Sequence, residues 1–400
     1  MTRSTTMLRL RPEHGHNKVT FVELFFDLIF VFAITQLSHL LLHHFSLHGA
    51  AETLMLLLAV WWVWIFTSWV TNWLDPEVLP VRVFLLVLML AGLLLSSSIP
   101  QAFAERGLVF ACAYVFMQVG RSLFTLWAFH RHKQHIHVRN FLRILVWLSS
   151  AGLFWIAGGL LSGEDRLLCW LIALLIEYIS PSLGFWTPGL GRSTTTDWNV
   201  EGAHLAERCG LFIIIALGES VLVTGATFAE LTWNSATVTA FIISFIGSVT
   251  MWWLYFDVGA EIGSYRMSHS QDSGRMARLA YTYLHLPIVG GIIVSAVADE
   301  FVLGHPLGHG ELKFTLAILG GAALYLFGIT VFKWAVVGRF PVSHLLALIA
   351  LGLLAIPAGA LSPLWLSLAT TLVLIALAAW ERFNAWRCAP AEVHSSADSH

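Results

Sequence analysis

Long apolar runs with very few charges divide the chain, and each is close to the length that a membrane-crossing helix needs. An α-helix rises 1.5 Å per residue, so roughly 20 apolar residues cross about 30 Å of hydrocarbon. The runs lack the short alternating segments of a transmembrane β-barrel. The pattern therefore predicts an all-α, polytopic integral membrane protein with about twelve spans, near residues 19–42, 50–73, 81–101, 107–129, 141–161, 167–187, 203–228, 235–258, 277–299, 314–336, 342–361 and 363–383.

The composition supports this class. Of the 400 residues, 57% are apolar and only 12% are charged, whereas about 25% is usual in soluble proteins. These values exclude a disordered chain, a nucleic-acid-binding protein with a basic face and most cytosolic enzymes. We therefore expect the lipid bilayer as a partner and no nucleic acid, and the sequence leaves the oligomeric state open.

Lysine and arginine collect on one side of the predicted membrane. If the N-terminus is cytoplasmic, 16 of these residues fall in cytoplasmic segments, whereas the outer segments hold Arg106, Arg166 and Lys313. Cytoplasmic loops of membrane proteins are enriched in positive charge. The distribution therefore predicts that both termini are cytoplasmic.

The two halves of the chain resemble each other at an offset near 200 residues. The clearest stretch is residues 156–161, Ile-Ala-Gly-Gly-Leu-Leu, against residues 356–361, Ile-Pro-Ala-Gly-Ala-Leu. A chance alignment of two Leu- and Ala-rich helices is the alternative. We predict one integrated membrane domain of two parallel six-helix pseudo-repeats, residues 19–190 and 195–385, between a cytoplasmic N-terminal segment (1–18) and a short cytoplasmic tail (390–400).

Ionisable residues inside the predicted spans are the main functional signal, because each costs roughly 2.5–3.5 kcal/mol at the centre of a bilayer. Glu23 and Asp27 lie one turn apart on the first helix. His204 and Arg208 have the same spacing on the seventh helix. With both halves entering from the cytoplasm, the two pairs fall at similar depth. The candidate ion or substrate site is therefore Glu23, Asp27, His204, Glu207, Arg208, Glu219, Asp257 and His285.

Some members of this set come from other parts of the second half. Glu219 lies three turns beyond Arg208, Asp257 ends the eighth span, and His285 precedes Pro287, which frees backbone carbonyls of the ninth. Arg121 and Glu177 are buried singly in the fourth and sixth spans. The alternative is purely structural, since buried ion pairs also fix helix packing.

Histidines are numerous, but no metal site follows from them. His39, His43, His44 and His48 crowd one predicted loop, yet no cysteine or carboxylate completes a ligand set there. No hydrolase, P-loop or dinucleotide fingerprint occurs in the sequence. We therefore predict no metal, no cofactor and no catalytic residues, and an enzyme is the less favoured class.

Three stretches of the sequence resemble the bacterial low temperature requirement protein A (LtrA) family. They are residues 22–39, VELFFDLIFVFAITQLSH, the spacing from His204 through Glu207 and Arg208 to Gly218 and Glu219, and residues 283–289, YLHLPIV. Cys209 departs from the aromatic or apolar residue expected there. The resemblance implies a multi-pass protein of the bacterial cytoplasmic (inner) membrane that is named for growth in the cold, without a known reaction.

Three functions agree with these features. The first is a transporter or channel, in which the carboxylate–histidine–arginine cluster binds an ion, a proton or a small polar solute between the halves. The second is a membrane-embedded enzyme that modifies lipid, with glutamate and histidine as acid and base. The third is a scaffold or cold-response protein without a substrate. The first is our principal hypothesis.

Overall fold

The computed structural model describes residues 6–10, 17–194, 197, 198, 200–257 and 273–388, and these residues form a bundle of α-helices without a β-strand. The predicted tail at 390–400 and most of the predicted N-terminal segment lie outside the described residues. The helices are α1 (Phe21–His43), α2 (Leu47–Trp73), α3 (Leu79–Ser98), α4 (Gly107–Arg131), α5 (His135–Leu160), α6 (Gly163–Ile179), α7 (Gly202–Glu230), α8 (Ser235–Tyr255), α9 (Gly274–Gly304), α10 (Leu312–Val337), α11 (Val342–Leu354) and α12 (Pro363–Cys388).

Ten of the described helices are long and apolar enough to cross a membrane. The exceptions are α6, with 17 residues, and α11, with 13. The predicted class, an all-helical multi-pass membrane protein, is therefore confirmed, whereas the count of twelve crossings stays a prediction.

The end of α11 shows why one predicted span is shorter than expected. The helix stops at Leu354, and residues 358–360 form a single 3₁₀ turn. Pro357 has no amide hydrogen and its ring would clash with the carbonyl four residues earlier, so the helix cannot continue through it. The corresponding residue in the first half, Ala157, lies inside α5. The clearest stretch of the repeat thus has two different conformations, and the repeat also stays a prediction.

The first helix begins with a capping box that already uses a predicted site residue. Thr20 is the N-cap of α1, and its hydroxyl accepts a hydrogen bond from the backbone of Glu23. The Glu23 carboxylate in turn accepts the backbone amide of Thr20 at 2.8 Å. This reciprocal pair satisfies two amide hydrogens that a helix start leaves free, and it fixes Glu23 in the first turn of α1.

Helix α1 contacts α2, α3, α7 and α9. The N-terminal residues run beside the end of α2, since the amide of Arg9 donates to the Trp73 carbonyl at 2.8 Å and the amide of Asp75 donates to the Met7 carbonyl at 2.9 Å. The bundle thus brings α1, α2, α7 and the N-terminal residues together at one end of α1.

Helices α9 and α10 approach each other unusually closely. A Cβ atom on Gly291 would lie on the backbone of Tyr325, and one on Gly328 would lie 2.7 Å from the amide nitrogen of Ile288. Real Cβ atoms essentially never come this close to a backbone. Small residues permit such backbone contact between membrane helices, so the glycines determine the α9–α10 distance.

Helices α4 and α9 contain π-helical segments, Phe116–Gly120 and Ala277–Tyr283. In α9 the irregular segment precedes Pro287, and its carbonyls find side-chain partners. The Trp61 indole donates to the Thr282 carbonyl at 2.7 Å, and the Nδ1 atom of His285 lies 2.9 Å from the Ala280 carbonyl. Such replacement partners allow a broken helix to remain within a membrane.

Candidate functional site

The predicted residues of α1 and α7 meet in a buried cluster. Arg208 donates to Asp27 at 2.6 Å through Nη2 and to Glu23 at 3.2 Å through Nη1. The Nε2 atom of His204 lies 3.0 Å from Oε1 of Glu23, the same oxygen that accepts from Arg208. Since i and i+4 residues share a helix face, the two sequence pairs lie opposite each other, as their spacing predicted.

The N-terminal segment completes the cluster with a residue that the sequence analysis did not select. Arg9 donates to Oε2 of Glu23 at 3.0 Å, and its other terminal nitrogen lies 2.5 Å from Nε2 of His204. A neutral Nε2 can either donate to Glu23 or accept from Arg9, but it cannot do both. We call Arg9, Glu23, Asp27, His204 and Arg208 the Arg208 cluster.

Helix α2 supplies the uncharged partners. The Trp64 indole donates to Oδ1 of Asp27 at 2.7 Å, and the Thr71 hydroxyl accepts from Arg208 at 3.0 Å. The Asn72 amide lies 3.3 Å from Nδ1 of His204. The orientation of Asn72 is fixed because it both accepts from and donates to the backbone of Glu201, at 2.8 and 2.9 Å.

The side chains of the Arg208 cluster are buried and electrically balanced. The side chains of Glu23, Asp27, His204 and Arg208 are 0% exposed, and that of Arg9 is 5% exposed. Two carboxylates face two guanidinium groups, so the cluster has no net charge when the imidazole is neutral. Such pairing is what allows ionised side chains to be buried.

Two atoms of the cluster are not satisfied. Oδ2 of Asp27 and Nε of Arg208 are buried and have no hydrogen-bond partner among the described residues. Buried polar atoms in native proteins are nearly always bonded, so each exception needs an explanation. Asp27 therefore keeps one free acceptor beside its ion pair, whereas both carboxylate oxygens of Glu23 are used.

Two further predicted residues contact α1 or its start but lie outside the cluster. Glu207 is half-buried and accepts the backbone amide of Val19 at 3.4 Å. Glu219 is also half-buried and accepts the Thr35 hydroxyl at 2.5 Å. Because Glu219 lies eleven residues after Arg208, it is about 16 Å farther along α7.

The remaining two predicted residues have other surroundings. Asp257 pairs with Arg382 at 3.1 Å, and the arginine side chain is 57% exposed. His285 is fully buried, with Nε2 2.8 Å from the Tyr255 hydroxyl and Nδ1 directed at the Ala280 carbonyl. Its ring also stacks on Tyr281. Through these contacts His285 stabilises the irregular part of α9.

Arg121 and Glu177, which the sequence marked singly, belong to one network. The Tyr114 hydroxyl donates to Glu177, the side-chain amide of Gln118 donates to the Tyr114 oxygen at 3.0 Å, and Arg121 donates to Oε1 of Gln118. The Trp155 indole also donates to Glu177, at 3.2 Å. Gln118 lies in the π-helical segment of α4, so this irregularity places the link between the two charged residues. Arg121 and Glu177 are thus joined through neutral side chains.

A third polar group joins the last helices. Lys333 of α10 donates to Glu381 of α12 at 2.6 Å, and Nε2 of His344, on α11, lies 2.7 Å from the same carboxylate. Lys333 and Glu381 were not selected from the sequence, because each lies near a predicted helix end where a charge is ordinary. The group ties the short α11 to its neighbours.

A cavity of about 520 Å³ lies beside α2, on the side opposite the Arg208 cluster. Seven of its 19 lining residues are aromatic, and Arg192, Arg278, Ser193 and Thr282 are among those that add polar groups. Helix α2 contributes Phe66, Trp69, Val70 and Trp73 to these walls. Ligand pockets of 300–1,000 Å³ commonly have this mixture of aromatic surface and a few polar groups.

Comparisons with known proteins agree with these features. A family model described as bacterial low temperature requirement A protein (LtrA) matches residues 18–379. A protein of Rhizobium meliloti (strain 1021), described as uncharacterized, is 44% identical over 337 residues, which cover 84% of this chain and 82% of that protein. No solved structure matches the chain.

Proposed function

The chain belongs to the bacterial low temperature requirement A (LtrA) family, and we propose that it is a transporter or channel for an ion, a proton or a small polar solute. In this proposal the Arg208 cluster is the gate or coupling site. Four of the eight predicted residues carry it, Glu23, Asp27, His204 and Arg208, and Arg9 joins them.

One observation supports the proposal above all others: α2 contacts the cluster with one face and lines the 520 Å³ cavity with the opposite face. Trp64 and Thr71 touch the cluster, whereas Trp69 and Trp73 face the cavity. Residues 64 and 71 share a helix face, and residues 69 and 73 lie roughly 160° around the helix from them. A shift of α2 therefore changes the cavity and the ion pairs together.

The chemistry of the cluster suits a reversible lock. Breaking the contact between Arg208 and Asp27 leaves two buried charges without partners, which is costly unless another ion replaces one of them. The free Oδ2 atom of Asp27 is the place where a proton or a small cation could bind. Binding there would cancel the carboxylate charge that holds Arg208 and would release α7 from α1.

The cavity suits a solute with an anionic group. Its aromatic walls offer flat apolar surface, and the two arginines at its edge offer guanidinium groups for a carboxylate or phosphate. The solute class and the lock are separate parts of the proposal, and they are tested with different probes.

We also propose the finer topology that the sequence predicts. The chain crosses the bacterial cytoplasmic (inner) membrane twelve times, with α6 and α11 as short spans, in two six-helix halves (19–190 and 195–385). Both termini are cytoplasmic, which the concentration of 16 lysines and arginines in the predicted inner segments supports.

Flux into proteoliposomes tests the function. The purified chain is reconstituted, and the uptake of protons, rubidium ions and phenyl phosphate is followed under an imposed membrane potential. We expect wild-type flux of at least one probe above that of empty liposomes. Asp27→Asn removes the carboxylate that binds and releases the proton or cation, so the ion pair with Arg208 can no longer re-form and the coupled flux should fall at least about tenfold, which corresponds to about 1.4 kcal/mol.

A matched control separates the cluster from charge in general. Glu77→Gln removes an exposed pair, Arg82 to Glu77 at 2.7 Å, and should leave the flux unchanged. Flux that stays at the liposome background for all three probes would contradict the transport hypothesis. Equal flux in the wild type and Asp27→Asn would remove the cluster from the mechanism and favour a structural role for it.

A further inference from the structure

A small cavity lies between α8, α9, α10 and α12, and seven of its 14 lining residues have a side-chain oxygen. It measures about 40 Å³, and its polar lining includes Ser244, Ser248, Ser295, Asp299, Thr370 and Thr371. One water needs roughly 10–15 Å³ of such space, so the cavity has room for one ion or very few waters. We call it the Asp299 cavity.

Asp299 is the only charged residue that lines this cavity, all of whose lining residues belong to the described part of the chain. Asp299 is half-buried on α9, and its neighbour Glu300 does not line the cavity. An acidic side chain within a membrane helix usually faces a partner or a polar cavity. Here the surroundings provide hydroxyl groups but no lysine, arginine or histidine.

The hydroxyl groups are arranged so that oxygen lone pairs remain available. Thr370 donates its hydrogen to the Leu366 carbonyl of its own helix at 2.9 Å, which leaves its oxygen free to act as a ligand. The Ser244 hydroxyl belongs to a residue that lines the same cavity as Asp299, and it has no hydrogen-bond partner among the described residues. Because Ser244 is only 3% exposed, this oxygen is buried and directed into the cavity.

We propose that the Asp299 cavity binds a monovalent cation of the size of sodium. Hydroxyl and carboxylate oxygens are ligands that hard cations prefer. One carboxylate balances one positive charge, whereas calcium sites generally combine several carboxylates. The site shares no residue with the Arg208 cluster, so it does not depend on the proposed transport function.

Thermal unfolding of the full chain in detergent tests the site with sodium chloride as the probe, at an ionic strength held constant with choline chloride. A cation that binds only the folded state raises the unfolding midpoint in a saturable way. We expect such a rise with sodium and none with choline, which is too large for the cavity. Asp299→Asn should abolish the sodium response. Glu300→Gln, the adjacent carboxylate that does not line the cavity, should retain it.

A second variant covers the case in which Asp299→Asn does not fold. Thr371→Val keeps the shape of the side chain but removes one oxygen from the cavity wall, and it should weaken sodium binding about tenfold or more. The sodium NMR linewidth of the wild type provides an independent measure of binding.

Three results would overturn the proposal. The first is a response to sodium that equals the response to choline, and the second is a sodium response that survives in both cavity variants. The third is stabilisation by low pH alone, which would mean that Asp299 holds a proton instead.

Discussion

The Arg208 cluster allows a test of whether its charges act as one unit. Asp27→Asn is nearly isosteric, and the new amide oxygen can still accept from Trp64 and Arg208 in place of Oδ1. Its amide nitrogen takes the place of Oδ2, which has no partner now. The substitution therefore removes the charge and little else.

The expected magnitude follows from the charge balance. The single variant leaves one positive charge without a partner in a site whose α1 and α7 side chains are 0% exposed, which typically costs about 3–5 kcal/mol. Arg208→Met leaves one negative charge and should cost about as much. The double variant restores neutrality, because Glu23 keeps Arg9. The double variant should therefore lose less free energy of unfolding than the two single variants together, by about 2–3 kcal/mol.

Equilibrium unfolding by SDS in mixed micelles, followed by tryptophan fluorescence, measures these free energies. Glu219→Gln is the matched control, because that half-buried carboxylate accepts one hydrogen bond from Thr35 and should cost about 0.5–1.5 kcal/mol. The reasoning is refuted if the losses of the two single variants add to within about 0.5 kcal/mol. It is also refuted if Asp27→Asn costs no more than Glu219→Gln.

Two further predictions concern packing and the second polar network, and the same unfolding assay measures both. Gly291→Ala should destabilise the chain by at least about 1–3 kcal/mol, because the new Cβ would overlap the backbone of Tyr325. Gly320→Ala, where a Cβ meets nothing within 4 Å, should stabilise it by up to about 1 kcal/mol. Glu177→Gln should cost about 1–2 kcal/mol, because the amide nitrogen would replace one acceptor of two buried hydrogen bonds.

The outcomes that contradict these predictions are equally specific. Equal free energies of unfolding for the two glycine variants would show that the α9–α10 contact relaxes without cost. A Glu177→Gln variant as stable as the wild type would show that Tyr114 and Trp155 find other acceptors.

The sequence was sufficient for the helical membrane class and for the centre of the candidate site. Length and apolarity decide which segments become membrane helices, and helical spacing alone places Glu23 with Asp27 and His204 with Arg208. Charge compensation in a low-dielectric interior then requires the two pairs to find partners, and they find each other.

The rest of the site depends on tertiary contacts that no local pattern contains. Arg9 stands in a polar segment where an arginine is ordinary, and only the pairing of this segment with the end of α2 carries it to Glu23. The cavity at Asp299 requires four helices to converge, so its hydroxyl groups look unremarkable along the sequence. Pro357 is a helix breaker in the sequence. The repeat alignment nevertheless matched it with Ala157, which lies inside a helix, so a span through residue 361 was predicted where the helix ends at Leu354.

The glycine contact between α9 and α10 has a mechanical consequence. Two helices whose backbones already touch cannot slide or roll past each other without a steric clash. We therefore expect α9 and α10 to move as one rigid body in any conformational change. Relative motion of helices is then expected at interfaces held by polar side chains, because these can exchange one partner for another. We therefore expect the hinge of this molecule at the contact between α1 and α7, and the rigid moving unit to be the pair α9 and α10.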